Sequence, residues 1–211
     1  MRWMRRSRSE LATLFTALTL APHGTMGLME TSGPLDARQL SAGPLSDADV
    51  DLYRRLSSDI TAGVAVVSTR LRNRDYAATV SGFLPVSYDP PTMLVSLYAE
   101  SRIGEAVEEA GTWALSVLSG KHQGTATWLA SPGTPLHGLL AQVPFRRGPA
   151  TGAAIIEGCL AFFELRTVSV HSAATHLLVV GEVVAMGSGA EPSEAPDPLV
   201  HFGSEFRRLA P

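Results

Sequence analysis

The most constraining part of this sequence is a strand-like segment of small and hydroxylated residues that runs into a rigid break. Residues 77–88 read AATVSGFLPVSY, residues 89–91 read DPP, and the apolar segment 92–98 follows at once. Small side chains on a strand allow a ligand to approach the backbone closely, and serine and threonine add hydroxyl donors without bulk or charge. The pattern therefore predicts a polar, planar ligand lying against the edge of a strand.

The hydrophobic pattern predicts strands that occur in runs. Strands are predicted over 64–69, 76–83, 92–98, 113–118, 153–170 with a break at Gly158, 176–186 and 199–202. Helices are predicted from Ser46 to Gly63, over 102–110 after the N-cap Ser101, and over 121–130. Runs of strands with a few short helices favour a mainly β fold, a closed antiparallel or mixed barrel with peripheral helices, over a doubly wound sheet.

The first 45 residues differ in character from the rest. Four arginines precede an apolar run over 11–21 that resembles a signal peptide, but Glu10, three threonines and Pro22 argue against export. The run is too short to span a membrane. We expect residues 1–45 to be a disordered extension or the product of a gene start placed too early, and residues 46–211 to form one domain.

Charge and cysteine usage limit the partners and the compartment. The net charge of −3 and the isoelectric point near 6.1 give no electrostatic reason to expect nucleic acid or an anionic membrane as a partner. The single cysteine, Cys159, excludes an internal disulfide and lies in an apolar run, where we expect a buried, inert thiol. Together these features predict a cytoplasmic protein.

Three polar positions are candidates for ligand binding. Ser101 at a helix N-terminus and the adjacent Arg102 combine free backbone N–H groups with a guanidinium, which either binds phosphate or simply caps the helix. His176 opens an apolar strand, either as an ordinary strand residue or as a donor at the mouth of a nucleotide site. His171 is five residues away, on the opposite face of a continuous strand, so we expect no metal site.

Four segments resemble motifs of the flavin reductase family, the FMN-binding split-barrel proteins. Residues 62–69 resemble the opening strand of the family, 79–91 its flavin-binding segment, 113–118 its F-x-V-N-V-L strand and 156–161 its L-x-G-A-x-A segment. The resemblance extends from about Leu52 to Leu209. It implies a split β-barrel, an NAD(P)H:flavin oxidoreductase activity and a homodimer that binds FMN or FAD near the subunit interface.

The resemblance also implies a role for particular residues. Thr79, Val80, Ser81 and Gly82 would line the isoalloxazine ring of the flavin. Ser87, Ser101 and Arg102 would hold its ribityl phosphate, and His176 would contact NAD(P)H. No side chain is expected to act as a catalytic acid, base or nucleophile, because hydride transfer is the chemistry of the two bound cofactors. A two-component monooxygenase would be the further partner that receives the reduced flavin.

The chain departs from the family pattern at several of these positions. Gly82, Pro85 and Ile103 stand where hydroxylated residues are usual, and residues 174–176 read ATH where many members have GDH. Fewer hydroxyl groups would weaken flavin affinity or shift the choice between FMN and FAD. The alternative to a reductase is therefore a non-catalytic split-barrel protein that holds flavin, or another planar cofactor, as a carrier or sensor.

Overall fold

The structure is a computed structural model and describes residues 38–40, 43–131, 138–189 and 197–209. The chain divides into two compact units, Met1–Gly43 and Pro44–Pro211, and the helices and strands described below lie in the second. Most of the predicted extension over 1–45 falls outside the described residues, so its state stays a prediction. Within the described residues no helix is both long enough and apolar enough to cross a membrane.

Three α-helices lie in the part of the chain that the structure describes. They are α1 (Asp47–Ser57), α2 (Arg102–Ala110) and α3 (Gln123–Ala130), the last preceded by a 3₁₀ turn over Gly120–His122. Helix α1 begins after a capping box formed by Ser46 and Asp49, and α2 begins after the N-cap Ser101, as predicted. The predicted end of α1 at Gly63 is wrong, because the helix stops at Ser57 and Gly63 belongs to a short strand.

Twelve strands lie in the described residues. They are β1 (Ala62–Gly63), β2 (Ala65–Leu71), β3 (Arg74–Val80), β4 (Phe83–Tyr88), β5 (Pro91–Tyr98), β6 (Thr112–Val117), β7 (Phe145–Arg147), β8 (Ala154–Ile156), β9 (Ala161–Ala173), β10 (His176–Gly187), β11 (Leu199–Phe202) and β12 (Glu205–Arg208). Seven of them form an antiparallel sheet in the order β3-β2-β6-β9-β10-β5-β4. The others form a three-stranded sheet, β1-β11-β12, and a pair, β7-β8.

The large sheet curls because its two edge strands follow each other in the chain. Strand β3 ends one edge at Val80, and β4 begins the opposite edge at Phe83. The linker between them spans at most about 11 Å, so the two edges must meet there. The Ser96 N–H donates to the Gly82 carbonyl at 2.8 Å and fastens the linker to β5. Strands β3 and β4 do not pair in the described chain, so the barrel is split, as the family resemblance implied. The closed barrel that the strand pattern favoured is wrong.

Alternation along the strands separates two hydrophobic clusters, one on each face of the sheet. On β6, Trp113 and Leu115 face the barrel interior, and Ala114 between them faces the other side. The interior cluster also includes Val95, Val107, Leu165 and Val179. The outer cluster is covered by β8, α3 and β11, and it contains Cys159, whose predicted burial is confirmed.

Strand β4 was not anticipated from the sequence. The pattern predicted one strand over 76–83 followed by a break, whereas the structure has two strands, β3 and β4. Pro85 lies inside β4, which is possible because β4 is an edge strand with one side free of pairing. A register shift between Pro85 and Ser87 marks a β-bulge that absorbs the irregularity.

Candidate functional site

A cleft of about 410 Å³ opens at the end of the barrel where the two sheet edges meet. Its lining comes from the end of β3, the β3–β4 linker, the end of β5, the start of α2 and the start of β10. The lining residues are Ala78, Thr79, Val80, Ser81, Gly82, Ser96, Leu97, Tyr98, Ser101, Ile103 and His176. The volume falls in the range of about 300–1,000 Å³ that is usual for small-molecule sites.

The cleft brings together most of the binding residues predicted from the sequence. Those that line it are Thr79, Val80, Ser81, Gly82, Ser101 and His176. Ser87 and Arg102 do not line it: Ser87 lies on β4 beyond the bulge, where its Oγ accepts the Asp89 N–H at 3.2 Å. Arg102 directly follows Ser101 and has an exposed side chain. The ligand contacts of all these residues stay predictions.

One wall of the cleft is a flat surface of small residues. A Cβ built on Gly82 would lie 3.2 Å from the Ser96 Cβ, so the backbone of the linker already lies close to β5. The Thr79 hydroxyl donates to the Ala126 carbonyl at 2.8 Å and fastens β3 to α3. Because this contact uses the hydroxyl proton, Thr79 can offer a ligand its backbone or an oxygen lone pair, but not that proton.

The N-terminus of α2 forms the second wall. The Ser101 hydroxyl donates to the Tyr98 carbonyl at 2.6 Å and accepts the Gly104 N–H at 3.1 Å, so it acts as a helix cap. The N–H groups of Arg102 and Ile103 belong to the first turn and have no acceptor within the helix. An anion at this wall would therefore meet these two N–H groups. The Ser101 hydroxyl proton is already donated to the Tyr98 carbonyl.

Tyr98 and His176 stand together at the mouth of the cleft. They are register partners on β5 and β10, and their rings meet edge to face with centroids 5.8 Å apart. The His176 Nδ1 lies 3.0 Å from the Thr175 Oγ1. The Tyr98 hydroxyl donates to the Glu100 Oε2 at 3.0 Å, and this hydrogen bond, together with the carboxylate charge, raises the pKa of Tyr98.

Sequence reasoning missed several residues of this lining. They are Ala78, Ser96, Leu97 and Tyr98. Ile103 also lines the cleft, whereas the sequence analysis noted it only as a departure from the family pattern. Tyr98 lies beside His176 because the end of β5 pairs with the start of β10. No local sequence pattern reveals this long-range pairing.

Metal-ligating side chains and the single cysteine are the other candidates for a reactive site. Among the described residues, no group of three or more His, Cys, Asp or Glu could hold a metal ion. Burial raises the pKa of the Cys159 thiol, which keeps it protonated and unreactive.

A split β-barrel with a small-residue wall, a helix N-terminus and a histidine at one cleft defines a class of proteins that bind nucleotide-like cofactors. Residues 56–210 match the family model described as flavin reductase like domain. The chain belongs to this family, and the resemblance noted in the sequence is confirmed.

Two curated proteins with similar sequences are named as flavin reductases. The chain is 30% identical over 162 residues to a flavin reductase (NADH) of Kitasatospora aureofaciens, covering 76% of this chain and 82% of the relative. It is 31% identical over 160 residues to the NADH-dependent FMN reductase AsuE2 of Streptomyces nodosus subsp. asukaensis, covering 74% of this chain and 83% of the relative.

Solved structures have the same fold. BorF, the flavin reductase component of a bacterial two-component tryptophan halogenase, superposes with a TM-score of 0.70 at 29% identity, covering 76% of this chain and 98% of BorF. The NADH:FAD oxidoreductase SgcE6 of Streptomyces globisporus, in complex with NAD and FAD fragments, superposes with a TM-score of 0.71 at 25% identity, covering 81% of this chain and 98% of SgcE6.

Proposed function

We propose that this protein is an NADH-dependent flavin reductase that passes hydride from NADH to FMN or FAD. The observation that carries the proposal is the cleft, in which a small-residue wall, the start of α2 and His176 converge in a member of this family. Relatives named as NADH-dependent flavin and FMN reductases support the choice of nicotinamide cofactor.

The residues of the cleft fit a flavin. The wall over residues 79–82 has no large side chain, so a planar ring can lie against its backbone. When bound there, a flavin supplies the electron-accepting ring that takes hydride from the nicotinamide. The N–H groups at the start of α2 and the Arg102 guanidinium would hold the phosphate end.

The side chains at the mouth would position the nucleotide. His176 and Tyr98 would flank the nicotinamide nucleotide as it enters the cleft. Hydride transfer needs the two rings at about 3–3.5 Å in a fixed orientation, and it needs no protein nucleophile. The described residues would therefore accelerate the reaction by binding and alignment.

Oxidation of NADH tests the proposal directly. Purified protein is mixed with NADH and either FMN or FAD, and absorbance at 340 nm is followed against a blank without protein. We expect flavin-dependent loss of absorbance well above the blank. Stable binding of a yellow chromophore without NADH oxidation would instead favour the non-catalytic carrier or sensor.

A predicted phosphate contact is tested at Arg102. The change Arg102→Ala removes an exposed guanidinium beside the α2 N-terminus, so we expect it to weaken FMN binding by about tenfold. Riboflavin, which lacks the phosphate, should bind the variant and the wild type equally. The measurement is flavin fluorescence quenching, with Arg70→Ala, a distant exposed arginine, as the matched control. An equal loss for both flavins would contradict the assignment.

The outer face of the large sheet carries an apolar row. Leu84, Leu94 and Val180 are register partners on the adjacent strands β4, β5 and β10, and Leu84 is 49% exposed. Val86, at the bulge two residues from Leu84, is 52% exposed. Contiguous exposed apolar surface on a sheet face is typical of a protein interface. We propose that this face joins two copies of the chain in a homodimer.

A charge on this face tests the homodimer. The change Leu84→Glu puts a carboxylate in the proposed interface, so we expect the dimer to dissociate at least tenfold more readily. Light scattering after size exclusion should find twice the chain mass of 22.4 kDa for the wild type and a shift towards one chain for the variant. Thr127→Glu, at an exposed site on α3, is the control, and an unchanged mass for Leu84→Glu would reject this interface.

We further propose that the protein hands reduced flavin to a separate oxygenase in the cytoplasm. Relatives include HsaB of Mycobacterium tuberculosis, named as the reductase subunit of a flavin-dependent monooxygenase, and the halogenase component BorF. The open cleft suits a flavin that exchanges with solvent, and a reducing compartment suits a chain with one buried free cysteine.

A further inference from the structure

An acidic side chain is held beside the mouth of the cleft. The Tyr98 hydroxyl, at the cleft mouth, donates to the Glu100 Oε2 at 3.0 Å. The tyrosine ring also contacts His176 edge to face, so the three side chains form one row: His176, Tyr98 and Glu100. The hydrogen bond fixes the Glu100 carboxylate at the far end of this row, although the side chain is exposed.

Among the residues that the structure describes, no Lys or Arg forms an ion pair with Glu100. Arg102, two positions along, starts α2. The two sides of the cleft mouth therefore differ in their effect on an anion. The α2 N-terminus and Arg102 favour an anion on one side, and Glu100 opposes an anion beyond the Tyr98 and His176 pair.

This division has a direct consequence for the two nicotinamide dinucleotides, which differ only at the adenosine 2′ position. A carboxylate accepts hydrogen bonds from a ribose 2′-hydroxyl, whereas it repels a 2′-phosphate. We propose that Glu100, held by Tyr98, selects NADH over NADPH at the cleft mouth. The proposal rests on the proposed function, because it assumes that the dinucleotide enters past His176.

The test is the charge-neutral variant Glu100→Gln. We expect the ratio of kcat/KM for NADH to kcat/KM for NADPH to fall about fivefold, mainly through a lower KM for NADPH, because one exposed charge is removed near a doubly charged phosphate. A glutamine can still accept a hydrogen bond from the ribose 2′-hydroxyl, so the KM for NADH should change less than the KM for NADPH. The preference of the wild type should also weaken as salt concentration rises, since exposed charges are screened.

The controls separate charge from position. Glu108→Gln changes an exposed glutamate further along α2 and should leave the ratio unchanged. Tyr98→Phe removes the hydrogen bond that fixes Glu100 and should lower the ratio by a smaller factor than Glu100→Gln. An unchanged ratio in Glu100→Gln would overturn the inference.

A binding measurement keeps the inference testable even without turnover. Calorimetric titration with NAD⁺ and NADP⁺ should show that Glu100→Gln improves NADP⁺ affinity relative to NAD⁺. A wild type that binds NAD⁺ but does not oxidise NADH would defeat the proposed function alone. If Glu100→Gln leaves the ratio of NADP⁺ to NAD⁺ affinity unchanged, the selection by Glu100 is wrong, and the proposed function is unaffected.

Discussion

Replacing Gly82 by leucine should raise the dissociation constant for FMN about 100-fold, because overpacking a fitted site costs up to about 3 kcal/mol. Gly82 lies in the linker that joins the two edges of the sheet, and a Cβ there would lie 3.2 Å from the Ser96 Cβ. Both residues line the cleft, so the remaining atoms of a leucine would occupy the space of the ligand. The measurement is flavin fluorescence quenching, repeated with riboflavin.

A size series at the same position supplies the control. Gly82→Ala adds only the Cβ, which Ser96 accommodates by moving a few tenths of an ångström, so we expect its FMN affinity to stay within about threefold of wild type. Thermal unfolding should show that both variants are folded. Wild-type FMN affinity in Gly82→Leu would mean that the flavin does not lie against this wall. Unlike Arg102→Ala, Gly82→Leu should weaken the binding of FMN and of riboflavin equally.

The strand pattern anticipated most of the large sheet, because its strands are local and strongly apolar. It could not anticipate β4, in which a proline interrupts a segment that only an edge position makes possible. It also favoured a closed barrel, which is wrong, because the two edge strands do not pair. The split of the barrel depends on β3 and β4 lying at opposite edges, which is a fact of long-range pairing; the family resemblance implied it, and the hydrophobic periodicity did not.

The candidate site shows the same limit. Thr79 to Gly82 and Ser101 were found because each carries a local signal, small residues on a strand or a serine before a helix. Tyr98 gave no such signal, since an aromatic residue at the end of an apolar strand usually belongs to the core. Its role became visible once the register placed it opposite His176, more than seventy residues away in the chain.

Another feature beyond sequence reasoning is the burial of Glu164 near the start of β9. The side chain has no solvent exposure, and its Oε1 accepts the Ala150 N–H at 3.0 Å, the Thr151 N–H at 2.7 Å and the Thr151 hydroxyl at 2.7 Å. A Cβ on Gly148 would collide with this carboxylate, so the loop before β8 is closely fitted around it. One acidic residue therefore ties this loop to the centre of the large sheet.

The change Glu164→Ala should lower the free energy of unfolding by about 3–5 kcal/mol, because it leaves buried donors without an acceptor and opens a cavity. Glu164→Gln keeps an oxygen at the Oε1 position and should lose less, which separates the hydrogen bonds from the charge. Urea unfolding followed by tryptophan fluorescence measures both, and Glu108→Ala at an exposed site should change stability by no more than about 0.5 kcal/mol. A loss below about 1 kcal/mol in Glu164→Ala would mean that the loop holds its position without the carboxylate.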